Sequence, residues 1–316
     1  MSKILVSGVK PTGRPHIGNY FGAMKQFVDL QDSYESRIFV ANLHALTTVQ
    51  NKEELEKNAN DVILDYLAIG LDPAKTTLYL QSDVPHVAEL AWIFSCITTM
   101  PYLMRAHAFK DAEAKSKEIS AGVFNYPLLM AADILLPSAD VVPVGKDQKQ
   151  HIEITRDIAE KFNRLFDETF KIPKELIIES TETVLGIDGQ KMSKSYNNTI
   201  PLFATDEEIE KAVMSIVTDS SGDIPKNVYA IHALIRDKDY LHTLYTENTG
   251  KYKELKDTLI SDLKDFIGPM REKRKEWEGK PDEVKKIVTE GGMKMRKIVH
   301  GKMVEVRKKV GLIHHE

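Results

Sequence analysis

Two lysines three positions apart stand in a loop of small residues, Lys191-Met-Ser-Lys-Ser195, directly after a glycine-flanked turn over 186–190. A mobile pair of ammonium groups of this kind can stabilise charge that develops on a phosphoryl group during transfer. An ordinary solvated loop has the same composition, so this segment alone does not decide. A second segment, Lys10-Pro-Thr-Gly-Arg-Pro-His-Ile-Gly-Asn19, separates an apolar run from a helical pattern. A helix starting there offers unpaired N–H groups and a positive dipole end to a phosphate. His16 can donate from its ring, and Gly18 lets backbone come close to a nucleotide because no Cβ intervenes. The spacing is not the G-x-G-x-x-G dinucleotide fingerprint. A third feature is Asp133, the only charged residue between Asn125 and Leu136. An unpaired carboxylate in apolar surroundings is costly and requires a donor.

These residues need elements to position them. The β-branched run 3–9 predicts a first strand that leaves into a turn, and Phe21, Met24 and Val28 predict the helix after it. Further strands are expected at 37–41, 76–81 and 139–144, and helices at 53–70, 87–98, 125–136 and 148–166. Residues 83–125 read as an insertion. Strands alternating with helices at this pitch point to parallel βαβ units in an open, doubly wound sheet. After Ser195 only helical patterns follow, at 206–217, 228–237, 239–245, 251–266 and 281–310, so a domain boundary is expected near residue 195.

Composition narrows the class. The chain has 316 residues, 42% apolar and 28% charged, which is ordinary for a globular enzyme of about two domains. One cysteine, Cys96, excludes an intramolecular disulfide and a cysteine-based zinc or iron–sulfur site, and fits a reducing cytosol. No apolar run reaches the ~20 residues of a membrane span, and the N-terminus reads as a strand, not a secretion signal. The net charge of −4 hides a gradient: from Lys251 onward 18 Lys and Arg face 12 Asp and Glu, a net of +6, against −10 before it. A basic end on an acidic chain suits a polyanion partner, though a solvated helical surface looks the same.

Taken together, the segments resemble a known family. His16-Ile-Gly-Asn19 is similar to the HIGH motif, and Lys191–Ser195 to the KMSKS motif, of class I aminoacyl-tRNA synthetases. Met130-Ala-Ala-Asp-Ile-Leu135, Val144-Gly-Lys-Asp-Gln-Lys-Gln-His151 and Val217-Thr-Asp-Ser-Ser-Gly222 resemble the bacterial tryptophanyl branch. The resemblance runs along essentially the whole chain. It implies a Rossmann-like catalytic domain of the HUP type over 1–195 and an α-helical, anticodon-binding domain over 196–316, with the last helix packing back on the first domain.

The implied reaction is ATP-dependent ligation of L-tryptophan to its tRNA through tryptophanyl-adenylate. The resemblance assigns Lys10, Pro11, Thr12, Gly18 and Asn19 to ATP, with His16 at the phosphates. It places Gly145, Lys146 and Asp147 on the adenosine side and Val184 at the adenine. Lys191, Met192, Ser193, Lys194 and Ser195 form the mobile arm, and Lys110 is a further candidate for the phosphates. For tryptophan it implies Asp133, Met130, Tyr126, His44, Val6, Val142, Val144 and Gln148. Asp133 suits the role chemically: indole has one N–H donor and no acceptor, and phenylalanine would leave the carboxylate unpaired. By composition, Met130, Val142 and Val144 are equally core residues, and His44 a structural histidine.

Mg²⁺ is expected to arrive with ATP, since no dedicated carboxylate cage is visible. The family implies a homodimer in the cytoplasm, with the helix around Trp92 in the contact. Three positions depart from the common bacterial pattern: Lys10 stands where many relatives have glutamine, Lys146 where they have an acid, and Asn42 where aspartate is frequent. Tyrosyl-tRNA synthetase, a small-molecule nucleotidyltransferase and a silent synthetase-like RNA-binding protein are the alternatives.

Overall fold

The computed structural model describes residues 2–114, 118–145, 149–177, 184–218 and 224–313. Five parallel strands among them, β1 Ile4–Val9, β2 Glu35–Val40, β3 Thr76–Leu80, β4 Val141–Val144 and β5 Lys174–Ile177, form one sheet in the order β3-β2-β1-β4-β5. Between β1 and β2 lie the short α1 Ile17–Asn19, a π-helical turn over Tyr20–Met24 and α2 Lys25–Leu30. α3 Asn42–Ala45 and α4 Lys52–Ala68 lead to β3. The crossover to β4 holds α5 His86–Ile97, α6 Met100–Leu103, α7 His107–Ala114 and α8 Ala121–Leu135, and α9 Lys149–Phe166 leads to β5. The rest is helical: α10 Asp206–Met214, α11 Lys226–His232, α12 Lys238–Glu247, α13 Tyr252–Glu278 and α14 Pro281–Lys309.

Side chains alternate across the sheet, as the period of a strand requires. Leu5, Ile38, Val40, Leu78 and Val141 enter one core with Phe27 of α2, Ile63 and Tyr66 of α4, and Leu259 and Leu263 of α13. Val6, Phe39, Tyr79, Val142 and Val144 enter the other with residues of α5, α8, α9 and α14. The strand expected at 139–144 is shorter, and β5 was not foreseen. Lys-Glu-Leu-Ile is a four-residue edge strand with too few alternations to signal itself.

Helix α13 differs instructively from the sequence reading. The pattern over 251–266 continues through Pro269 to Glu278. Proline removes one helical hydrogen bond, but Pro269 is exposed, and burial of Leu263 and Ile267 before it and partial burial of Met270 after it carry the helix through. Helix α14 runs along β3, the edge strand, with Val288 in one core and Met295, Val299 and Met303 in the other. A Cβ at Gly291 would stand 2.0 Å from the Leu78 carbonyl oxygen, so only glycine permits this approach. The edge that would otherwise be open to pairing is thereby covered. Helix α14 thus packs on the sheet along β3.

Candidate active site

The strand order reverses between β1 and β4, and ligands of open α/β sheets bind beyond the carboxyl ends at such a point. Two cavities meet there. One, of about 550 Å³, is lined by the ends of β1 and β4 together with α3 and α8. The other, of about 460 Å³, lies between the loop after β1 and the loop carrying Lys194.

The first cavity is predominantly apolar. Val6, His44, Tyr126, Met130, Asp133, Val142 and Val144 all line it, so residues from four elements converge on one cavity. Phe39 pairs with Gly8 across β1 and β2, and its ring fills the space where a Gly8 Cβ would stand, 2.5 Å away. The ring is thus a wall of the cavity that a side chain at position 8 would displace.

Asp133 is 3% exposed. Its Oδ2 accepts from Gln81 Nε2 at 2.7 Å and lies 2.9 Å from His44 Nε2, which donates with its proton on that nitrogen. Gln81 in turn accepts from the backbone N–H groups of Leu43 and His44. Burial raises the carboxyl above the ordinary range, and the bonds from His44 and Gln81 pull it back. Oδ1 makes no hydrogen bond among the described residues, which leaves one acceptor for a ligand N–H. The Tyr126 hydroxyl lies 2.9 Å from His151 Nε2, which steadies its aromatic ring on the α8 wall of the cavity, two turns before Asp133.

The second cavity mixes apolar walls with a larger share of polar and charged side chains than the first, the Asp65 carboxylate among them. Lys10, Thr12, His16, Asn19, Ser193, Lys194 and Ser195 line it. His16 caps α1: its Nδ1 accepts from Asn19 N–H at 3.3 Å, and Asn19 Oδ1 accepts from His16 N–H at 3.1 Å. An accepting Nδ1 puts the neutral ring's proton on Nε2, where it remains available as a donor. Burial, aided by the positive charge of Lys194, pushes the imidazole down to about 4. A Gly18 Cβ would lie 2.9 Å from His16 Nδ1, so Gly18 makes room for the histidine ring before it makes room for a nucleotide.

The two motif loops are stitched together. Ile17 N–H donates to Ile200 O and Leu202 N–H to Pro15 O. Lys194 Nζ donates to the carbonyls of Thr12 and Gly13, both at 2.9 Å. Buried Asn198 holds the arm in shape: it accepts from Ser193 N–H and donates to Asp188 and to the Lys191 carbonyl. Arg14 makes a paired bond to Glu208 of α10, which ties the first loop to the helical part.

Other residues singled out in the sequence stand elsewhere. Met192 is buried and anchors the arm in the core beneath it. Lys191, exposed, lines neither cavity, and Lys110 is exposed on α7. Pro11 is buried; Val184 is half-buried and accepts from Met192 N–H. Gly145 lines the apolar cavity. Asn42 exchanges hydrogen bonds with Ser82 and lines neither cavity. Lys146, Asp147 and Gln148 lie outside the described residues, as does part of Val217-Thr-Asp-Ser-Ser-Gly222. The sequence reading missed Gln81, Thr47 and Asn198. A polar residue just past the carboxyl end of a strand was the available signal for Gln81.

A family model described as tRNA synthetases class I (W and Y) matches residues 2–275. The chain belongs to that family. It is 48% identical over 317 residues to a tryptophan–tRNA ligase of Fusobacterium nucleatum, with 98% of each chain covered. It is 44% identical to the tryptophan–tRNA ligase of Rhodopirellula baltica over 98% of this chain and 99% of that one. Among solved structures it resembles the tryptophanyl-tRNA synthetase of Campylobacter jejuni complexed with ADP and tryptophan, with a TM-score of 0.90, 42% identity, and coverage of 98% and 100%.

Proposed function

We propose that the two cavities carry out tryptophan activation. The reaction of this chain is that of a class I tryptophan–tRNA ligase: L-tryptophan and ATP give tryptophanyl-adenylate and pyrophosphate, and the tryptophan then passes to the 3′ end of its tRNA. The observation that carries the residue assignment is the buried Asp133 carboxylate with Oδ1 open in an apolar cavity large enough for an indole. Oδ1 accepts the indole N–H, while Val6, Met130, Val142 and Val144 pack on the ring and His44 and Tyr126 bound it. A phenol, which both donates and accepts, would find no matched donor at Asp133.

ATP occupies the second cavity, with Mg²⁺ entering on its phosphates. Displacement at phosphorus needs positioning and charge stabilisation, not a protein nucleophile. His16 donates from Nε2 to a phosphate oxygen, and Lys194 leaves the Thr12 and Gly13 carbonyls to follow the charge onto departing pyrophosphate. Lys191 and Lys110 reach the phosphates only when their segments close. The division into a catalytic part over 1–195 and a tRNA-binding helical part over 196–316 belongs to this reading. So do action in the cytoplasm and a homodimer through α5, whose Trp92 is 70% exposed.

Amino-acid-dependent ATP–pyrophosphate exchange tests the assignment. Tryptophan should support exchange and tyrosine should not; faster exchange with tyrosine would move the chain to the tyrosyl branch.

A further inference from the structure

Adenylate formation joins two ligands, so the reacting atoms must lie where the two cavities meet. Val9, Lys10 and Ala23 line both. Of these only Lys10 carries a polar side chain. It is the first residue after β1, and its ammonium donates to Thr47 Oγ1 at 3.0 Å. Thr47 spends its own hydroxyl proton on the His44 carbonyl, 2.8 Å away, so its oxygen is left to receive Lys10. An ammonium has three protons to donate. One goes to Thr47; the other two have no partner among the described residues, and no carboxylate there forms an ion pair with Lys10. Burial lowers its affinity for the proton, as expected of an ammonium with no carboxylate beside it.

Both reacting groups are anions. The tryptophan carboxylate must come within reach of the α-phosphorus against Coulomb repulsion in a partly desolvated site, where such repulsion is strong. We propose that Lys10 is a catalytic residue of adenylate formation, its ammonium bridging the attacking carboxylate of tryptophan and the α-phosphate of ATP. This rests on the activity proposed above. A carboxylate oxygen forms the new bond to the α-phosphorus. The bond from that phosphorus to the bridging oxygen breaks, and its electron pair leaves with pyrophosphate. Lys10 stays protonated throughout and transfers no proton. Thr47 acts through Lys10, holding it at the junction. A glutamine in this place would offer N–H donors but no charge, so the lysine adds an electrostatic contribution of its own.

Lys10→Met keeps the length of the stem and removes charge and donors; Lys10→Gln keeps donors alone. In tryptophan-dependent ATP–pyrophosphate exchange, kcat should fall about 10²-fold or more in Lys10→Met and about tenfold in Lys10→Gln. The decisive readout is binding of tryptophan against tryptophanamide, which lacks the carboxylate charge. Both variants should weaken tryptophan at least severalfold and leave tryptophanamide at its wild-type affinity, which also reports an intact pocket. Lys194→Ala should lower exchange without altering that ratio. Wild-type kcat in Lys10→Met, or equal weakening of both ligands in Lys10→Gln, would overturn the proposal. If the activity itself were misassigned, the unmodified protein would show no tryptophan-dependent exchange, a different and recognisable failure.

Discussion

His44 Nε2 lies 2.9 Å from Asp133 Oδ2, and the same oxygen receives Gln81 at 2.7 Å. Two donors, His44 on the short helix after β2 and Gln81 directly after β3, therefore turn the buried carboxylate so that only Oδ1 is left for a ligand. Asp133→Ala should weaken tryptophan by roughly ten- to a hundredfold, the worth of a hydrogen bond to a charged group. ATP binding without the amino acid should hardly change. Asp133→Asn retains an acceptor but adds donors that meet donors from His44 and Gln81, so it should fall between wild type and alanine. Calorimetric titration checks both. Unchanged preference for tryptophan over phenylalanine in Asp133→Ala would remove Asp133 from the indole.

The pH dependence of stability should carry the signature of His16. Its folded value, about 4, lies below the ordinary 6.5. Between these values the unfolded chain binds the extra proton and the folded one does not, so stability rises with pH across the window and is complete above it. The size is at most about 3 kcal/mol, from the shift multiplied by 1.36 kcal/mol per unit. His16→Gln has nothing to titrate there. Melting temperatures at pH 4.5 and 7.5 should differ more in the wild type than in the variant. An identical difference in both would refute the depressed value.

Two glycines on α14 should respond oppositely to alanine. At Gly291 the new Cβ meets the Leu78 carbonyl at 2.0 Å, and backbone of the edge strand must give way. Overpacking of this kind costs typically 1–3 kcal/mol. At Gly301 nothing lies within 4 Å, so alanine should stabilise the helix by about 0.5–1 kcal/mol. Thermal unfolding of the two variants decides it; a Gly291→Ala protein as stable as wild type would mean that α14 does not sit on β3.

The basic helices after residue 250 also separate into groups. Arg271 donates to the Ala204 carbonyl and to Asp206, so reversing its charge should unsettle the fold. Lys294 and Lys297 of α14 are exposed and form no ion pair among the described residues. If this face meets tRNA phosphates, Lys294→Glu with Lys297→Glu should lower tRNA affinity and flatten its dependence on salt, while tryptophan activation is untouched. An unchanged salt slope would take these two residues off the tRNA surface.

The sequence by itself carried the α/β class, four of the five strands and the helical character of the rest. These are written in local periodicity, which a window of a dozen residues contains. It also carried the motif loops, not through composition, which a solvated loop shares, but through the order in which the two segments occur around a parallel α/β pattern. Five things belonged to the tertiary structure. Edge strand β5 and the run of α13 through Pro269 depend on what packs beside them. The orientation of Asp133 depends on Gln81, distant in sequence and brought near by strand order. The covering of β3 by α14 depends on a glycine whose need for space shows only when a carbonyl lies against it. The place of Lys10, where two cavities join, is a property of neither segment; it exists because β1 ends at the point where the sheet changes direction, and closure of long-range contacts is what local sequence does not encode.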